Sequence, residues 1–402
     1  MLGVLALTAP IVAPAAQAQD ADLPGTITEF RAPGFRFPIG IVTGPDGAIW
    51  FTDYGNNFVG RMTTAGQLTN AFASPDKHPN YITVGVDGNL WFTEDSAENG
   101  GNAVVRMTPR GVATAFPLPT ADASAQGIVS GPDGKVWFAE GNAHKIASID
   151  PTAPNPGATI VEYPLSGGAA PFGVTVGPDG LVWFTEQIVN RVAHLDPHAA
   201  DVQASIVELP LPTGETFPGA ITSGPGGRLW ILVGEEPDSR IDFVTTGGTF
   251  GGFKLPAGSN PTGIAPGPDN ALWFTMNQDS PKPAAIGRLT TGGELTKTAL
   301  GDDVAFAIGI TPGPDRTLWF TESIQARTPT PPNPTQPIVN IGRISDITGL
   351  TEPPPTTAPP TTAPPTTAPP TTAPPTTQPP PTHPPGAAVP AQAIVGTPLF
   401  TG

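Results

Sequence analysis

The sequence predicts an all-β, seven-bladed β-propeller, closed by its N-terminal strand and followed by a disordered Pro/Thr-rich C-terminal tail. Three observations carry the prediction. All seven tryptophans fall at one point of a recurring phrase, Gly-Pro-Asp-Gly-x-φ-Trp-Phe-Thr-acid, where φ is aliphatic. The gaps between Trp50, Trp91, Trp137, Trp183, Trp230, Trp273 and Trp319 run from 41 to 47 residues, the length of a four-stranded blade. The two ends of the repeat array also look like complementary parts of one blade.

The elements follow in order. The first repeat reads Gly44-Pro45-Asp46-Gly47-Ala48-Ile49-Trp50-Phe51-Thr52-Asp53. The third repeat shows all four strands. Gly127–Ser130 is a short apolar strand, and Pro132-Asp133-Gly134 is a turn, because Asp-Gly supplies the positive φ a tight hairpin needs. Val136–Glu140, Lys145–Ile149 and Ile160–Tyr163 are the second, third and fourth strands, each bounded by Gly, Pro, Asn or Asp. The last repeat offers strands at Ile308–Thr311, Leu318–Glu322 and Ile341–Ile344, then runs into Pro353-Pro354-Pro355 without a fourth. Thr26-Ile27-Thr28-Glu29-Phe30 has the form of that missing strand. Its insertion would close the ring and remove the open sheet edge.

Composition agrees. Only 13% of residues are charged, and Gly (48) and Pro (55) are abundant, which suits short strands joined by turns. No helical i, i+3, i+4 apolar pattern persists across three turns. The net charge of -16 lies wholly before Pro353; it serves solubility and repels phosphate backbones, so nucleic acid is not an expected partner. There is no cysteine, so neither disulfides nor thiol chemistry can be invoked. The apolar run Leu2–Val12 followed by Ala16-Gln17-Ala18 reads as a signal peptide over residues 1–18. No Lys or Arg precedes Arg31, so a start further upstream is expected. That run is too short and too Pro-interrupted to span a membrane. The propeller is expected over 25–350 and the protein outside the cell, as a monomer.

From Pro353 the chain changes character. Ala-Pro-Pro-Thr-Thr repeats with a period of five, and Pro/Thr bias continues to Pro385. Residues 353–385 should form an extended spacer on the order of 100 Å long, with threonines that are O-glycosylation candidates by composition. Residues 386–402 form a short, mildly apolar tail. It ends Pro398-Leu399-Phe400-Thr401-Gly402, which loosely resembles a wall-sorting motif with the Leu-Pro order reversed.

The phrases Gly-Pro-Asp-Gly-Leu-Val-Trp-Phe-Thr-Glu (177–186) and Ile-Gly-Arg-Leu-Thr (286–290), with the strand Ile-Thr-Glu-Phe (27–30), resemble those of the virginiamycin B lyase, or streptogramin lyase, family. The resemblance spans about residues 25–350. It implies a seven-bladed propeller and a Mg²⁺-dependent elimination that linearises a cyclic depsipeptide. Such an elimination needs a metal held by carboxylates to polarise a carbonyl, and a neutral imidazole as base. The resemblance implies a Glu-Pro-His before the Gly-Ile of one first strand, a Glu four residues after that blade's Trp, and a second His in the same slot of another blade.

In this chain the slot holds Ile39, Asn80, Gln126, Phe172, Gly219, Thr262 and Ile308. The last repeat gives Phe306-Ala307-Ile308 with Ser323, and the sixth gives Asn260-Pro261-Thr262 with Asn277. No catalytic, cofactor-binding or metal residue is therefore assigned, and no cofactor is expected unless lyase chemistry survives, in which case Mg²⁺ is. The histidines lie elsewhere: His78 before Pro79, His144 before a third strand, His194 where other repeats have Arg61, Arg106, Arg288 and Arg343, His198 in a loop, and His383 in the tail.

Asp53, Glu94, Glu140, Glu186 and Glu322 follow Trp-Phe-Thr or its equivalent. They could form a carboxylate ring at one mouth of the channel, or pair with their own blade's Arg or cap backbone amides. A feature repeated from blade to blade serves the blade, so the second reading is expected. The tryptophans, each in a central strand, are read as core. The fifth repeat, Trp230-Ile231-Leu232-Val233, loses the Thr and the acid, and irregularity there marks either a site or drift. The functional expectation is an extracellular recognition module for a small-molecule, peptide or cell-wall ligand. The alternative is a lyase opening streptogramin B-type depsipeptides. No Ser-His-acid or carboxylate-pair motif supports a hydrolase.

Overall fold

The computed structural model describes residues 18–19, 23–75, 77–95, 102–212, 214–234, 238–277, 283–301, 304–324 and 339–347. The chain divides into Met1–Pro353, which holds every blade, and Pro354–Gly402. The expected spacer and tail lie outside the described residues, as does the signal segment save Ala18.

Seven sheets are present, each an antiparallel meander. Blade 1 comprises Pro38–Thr43, Ile49–Asp53, Phe58–Met62 and Leu68–Ala73. Blades 2 to 6 begin at Pro79, Ala125, Pro171, Ile221 and Pro261. Blade 7 has Val304–Pro312, Leu318–Ile324 and Val339–Ser345, and its outer strand is Thr26–Arg31. That strand pairs antiparallel with Val339–Ser345, Thr26 opposite Ser345 and Arg31 opposite Asn340. The expected closure is therefore observed. Ala18–Gln19 adds a short parallel strand beside Leu295–Ala299 of blade 6.

The first strands of consecutive blades face one another around the axis, with Val304–Pro312 of blade 7 meeting Pro38–Thr43 of blade 1. Every Trp is fully buried, and each packs between its own blade and the next: Trp50 lies with Ile82, Leu90 and Phe92 of blade 2. The Phe after Trp faces the preceding blade, as Phe51 does against Trp319 and Ile341. The two residues thus bolt each sheet to both neighbours.

The repeat phrase is one structural unit. The Asp of Gly-Pro-Asp-Gly accepts the indole N–H of its own Trp: Asp46 from Trp50 at 3.0 Å, Asp87 from Trp91 at 3.1 Å, Asp133 from Trp137 at 3.0 Å, Asp179 from Trp183 at 3.1 Å and Asp269 from Trp273 at 2.9 Å. Cross-strand register sets Arg61, Arg106, His194, Arg288 and Arg343 directly opposite Trp50, Trp91, Trp183, Trp273 and Trp319. Two of these arginines reach the same turn Asp, Arg61 to Asp46 at 2.7 Å and Arg288 to Asp269 at 2.6 Å. In blade 5 the turn is Gly224-Pro225-Gly226-Gly227, and Trp230 donates to Pro225 O at 3.0 Å instead.

Asp269 carries the most buried of these contacts. Asp269→Ala strands the Trp273 indole and the Arg288 guanidinium together and should cost about 2–3 kcal/mol in denaturant unfolding. Asp133→Ala should cost less, because its Lys135 partner is more exposed and lies at 3.5 Å. Equal losses would show that the Arg288 contact contributes nothing.

Candidate functional site

The channel mouth is built by a distortion repeated in the first strands. In blade 1, Pro38 pairs with Asp53 and Ile41 with Phe51, so that Ile39 and Gly40 together oppose Thr52. The same bulge recurs in blades 2, 3, 4, 6 and 7. A bulge bends the strand and re-aims its side chains. Here it turns the slot residue toward the axis.

The Thr of Trp-Phe-Thr locks that geometry. Thr52 Oγ1 accepts Gly40 N–H at 2.9 Å and donates to Asn80 O of the next blade. Thr185 does the same with Gly173 N and Gly219 O, and Thr275 with Gly263 N and Ile308 O. Thr321 links blade 7 to Ile39 O of blade 1 at 3.3 Å, which closes the ring. The glycine is required by space. A Cβ at Gly40 would lie 2.6 Å from Asn80 O. Blade 2 departs from this, with Tyr81 where the others carry Gly or Ala. Its ring meets the Phe172 ring of blade 4 edge-on at 5.7 Å, and burial pushes its hydroxyl pKa up.

All seven slot residues come together around this channel, six of them half-exposed and Asn80 5% exposed. Asn80 Nδ2 donates to Gln126 Oε1 at 3.1 Å. Thr262 Oγ1 is engaged with Ala307 O at 2.7 Å and with Thr275 Oγ1 at 3.0 Å. The remaining slots are Ile39, Phe172, Gly219 and Ile308.

The acids do not form a ring at the mouth. Asp53, Glu94, Glu140, Glu186 and Glu322 are all fully buried, because strand alternation turns them to the Phe side, beneath the connection entering each blade. Asp53 accepts Arg36 N at 2.9 Å and Phe37 N at 2.6 Å, and Glu94 accepts the Ser74 hydroxyl. Of the two expected roles, amide capping is seen at Asp53, and no pairing with a repeat arginine is seen among the described residues. The arginines sit on the Trp face, where Arg61 and Arg288 reach the turn Asp. Burial raises the pKa of Glu140 to about 8, with Glu162 adding to the shift and Lys145 opposing it. Burial likewise takes Glu186 to about 7, with Glu208 adding and Arg191 opposing. Blade 5, which lacks the strand acid, supplies its own cluster: Arg240 lies 2.9 Å from buried Asp242 and 3.4 Å from Glu215.

The histidines separate into roles. His194 lies tilted against Trp183, ring centroids 4.4 Å apart, with burial lowering its pKa, a stand-in for the repeat arginine. His144 Nδ1 pairs with Ala169 O, and His198 is exposed in its loop. His383 lies outside the described residues. His78, half-buried just before the first strand of blade 2, lies against the Tyr54 ring at 4.5 Å. Sequence reasoning passed over it, although its place two residues before the slot was the available signal.

These residues do not fit a divalent cation. The slots hold no carboxylate and no imidazole, and Asp53, Glu94, Glu140, Glu186 and Glu322 are buried on the Phe side of their strands. Among the described residues, no group of three or more His, Asp or Glu could hold a metal. Among the same residues, no helix is long and apolar enough to cross a membrane.

A closed ring of seven sheets, six of them with a bulged first strand, defines a seven-bladed β-propeller. The virginiamycin B lyase family model matches residues 19–198 and 158–328, and the chain belongs to that family. Virginiamycin B lyase from Staphylococcus aureus is similar in structure at 27% identity, over 80% of this chain and 99% of that one, with a TM-score of 0.66. A catalytically inactive histidine-to-alanine variant of the same enzyme with quinupristin matches at 27% identity over 79% and 99%, with a TM-score of 0.63. A streptogramin B lyase structure matches at 27% identity over 80% and 98%, with a TM-score of 0.65. No protein of curated function matches the chain.

Proposed function

We propose that the chain is an exported recognition propeller that has kept the family's scaffold but not its elimination chemistry. In this reading residues 1–18 direct export, 25–350 form the binding disc, and 353–385 hold that disc away from a wall or other surface. The observation that carries it is the content of the mouth. The slots hold Ile39, Asn80, Gln126, Phe172, Gly219, Thr262 and Ile308, and the nearby acids are sealed beneath connections. Without a carboxylate-held cation or an imidazole in a slot, the family's means of acidifying and removing an α-proton are missing. A rigid ring of strands with variable mouth residues is suited to binding.

The lyase reading has one specific support, the 27% identity spanning nearly the full length of a lyase whose inactive variant was studied with quinupristin. One assay separates the two. The purified protein, incubated with a streptogramin B and Mg²⁺ and followed by mass spectrometry, should leave the ring intact. Linearisation abolished by a chelator would overturn the recognition reading.

A further inference from the structure

One arc of the mouth differs from the rest. Across blades 7, 1, 2 and 3 the residues two before the slot are Phe306, Phe37, His78 and Ser124. Phe306, 38% exposed, meets Phe37 edge-on with centroids 6.2 Å apart. Tyr54 N donates to Phe37 O at 3.0 Å, and the Tyr54 ring lies 4.5 Å from His78. This makes an aromatic arc. Against it lies a chain of polar groups: Asn80 Nδ2 donates to Gln126 Oε1 at 3.1 Å, and Gln126 Nε2 to Ser124 Oγ at 2.9 Å. Asp95, half-buried, follows the second strand of blade 2, and its N–H donates to His78 O at 3.1 Å.

The blade's own frame holds His78. Its backbone is left-handed at φ 57°, as at Ser124, Phe217 and Asn260 in the same position of other blades, so the conformation belongs to the repeat and the side chain is what varies. The His78 N–H donates to Asn57 Oδ1 at 2.8 Å, and its Nδ1 lies 3.2 Å from Tyr54 O. A carbonyl only accepts, so Nδ1 carries the proton and Nε2 of the neutral ring is an acceptor. Blade packing does not call for an imidazole here, since the other blades place Phe, Ser, Ala or Asn at this position.

The arc therefore offers carboxamide donors and acceptors and an imidazole acceptor, beside an aromatic and aliphatic wall that includes Ile39. None of these side chains is a carboxylate, a Lys or an Arg, so the matching ligand is polar and uncharged. We propose that this arc is a subsite for an N-acetylated hexosamine saccharide. The Asn80–Gln126 pair would hydrogen-bond the acetamido group, and Ile39 and Phe37 would face its methyl. The Phe37–Phe306 wall would take the apolar face of the pyranose, and His78 Nε2 would accept from a hydroxyl. The inference rests on reading the mouth as a recognition surface.

Ligand-observed saturation-transfer NMR on the full chain tests it, with N,N′,N″-triacetylchitotriose as probe and cellotriose, which lacks the acetamido groups, as control. The acetylated trisaccharide should give a saturable signal, and cellotriose should bind at least tenfold more weakly. Asn80→Ala and Gln126→Ala should each weaken binding up to about tenfold. His78→Asn, which tolerates the left-handed backbone, should weaken it several-fold. Ile188→Ala, outside the arc, should bind as the parent does. Melting curves matching the parent would show that each variant folds.

Silence from triacetylchitotriose with the folded parent would overturn the proposal, as would equal binding of cellotriose. Binding of N-acetylphenylalanine amide with the sugar silent would overturn it in favour of a peptide. Mg²⁺-dependent opening of a streptogramin B sinks the recognition reading itself. A silent saccharide beside an intact antibiotic sinks this inference alone.

Discussion

Stability should fall as pH rises from about 5 to 8, and the double substitution Glu140→Gln, Glu186→Gln should remove much of that fall. Both carboxyls are fully buried, and their oxygens have no hydrogen-bond partner. Burial is the leading cause of their raised pKa values, about 8 for Glu140 and about 7 for Glu186. The sign follows from linkage. A carboxyl whose folded pKa exceeds its unfolded value binds a proton more tightly when folded. Its stabilising effect is complete below the unfolded pKa, near 4.5, and is lost as pH climbs through the folded value. Each such group contributes a slope of at most about 1.4 kcal/mol per pH unit in that window. Glu215, raised to about 8 by burial and by Asp242, adds a slope of the same sign, so the double variant should flatten the profile without levelling it. Guanidinium midpoints at pH 5, 6, 7 and 8 measure the effect. Superimposable profiles for parent and variant would show that both carboxylates ionise inside the blade without cost.

Much of the fold was legible in the sequence because two periods reinforce each other. Alternation along Trp-Phe-Thr-Glu sets Trp and Thr on one face, and the spacing of the tryptophans repeats that face from blade to blade. The same alternation also fixes where the acid points. It predicts that Glu186 lies opposite in direction to Trp183, and hence away from any side chain paired across from Trp183. The expectation that acids pair with the repeat arginines overlooked this. Cross-strand register places Arg288 opposite Trp273 and beside Asp269, so charge complementarity is satisfied in the turn. The turn itself held a second signal. An Asp four residues before a Trp, across a hairpin, is placed to take the indole N–H.

The mouth was only half legible. Aligning repeats lists Ile39, Asn80, Gln126 and the other slots correctly, since each is fixed by its own blade's Pro and Gly. Contacts between slots were not readable. Asn80 and Gln126 are 46 residues apart, and Tyr54 and His78 belong to consecutive blades. Their meeting depends on how tightly first strands approach, which is set by the glycine beneath each bulge and the Thr hydroxyl bridging to the next blade. Tyr81 breaks that rule in one blade, and the repeat pattern gave no account of where its ring would go.

Trp183→Ala should destabilise the protein by roughly 3–5 kcal/mol, read as a shift in the denaturant midpoint at unchanged slope. The indole is fully buried and packs with Ile221, Leu229 and Ile231 of the next blade. Its removal opens a cavity at an interface between two sheets, where neither can collapse without moving the other. The N–H lost from Asp179 adds to that cost. Trp183→Phe separates the two contributions: it keeps most of the apolar contact and deletes only the donor, so about 1–2 kcal/mol is expected. The turn is bound to the same ring, since a Cβ at Gly177 would lie 2.3 Å from Oδ1 of Asp179, the carboxylate that the indole N–H fixes, and 2.6 Å from Trp183 Cδ1. Gly177→Ala should therefore be destabilising in the parent and much better tolerated in the Trp183→Ala background, a non-additivity expected of residues in direct contact. Strict additivity would mean that Gly177 answers to the turn's backbone alone and that the phrase is two motifs side by side. A Trp183→Ala loss below about 1 kcal/mol would contradict the burial of the ring and, with it, the packing by which each blade holds its neighbour.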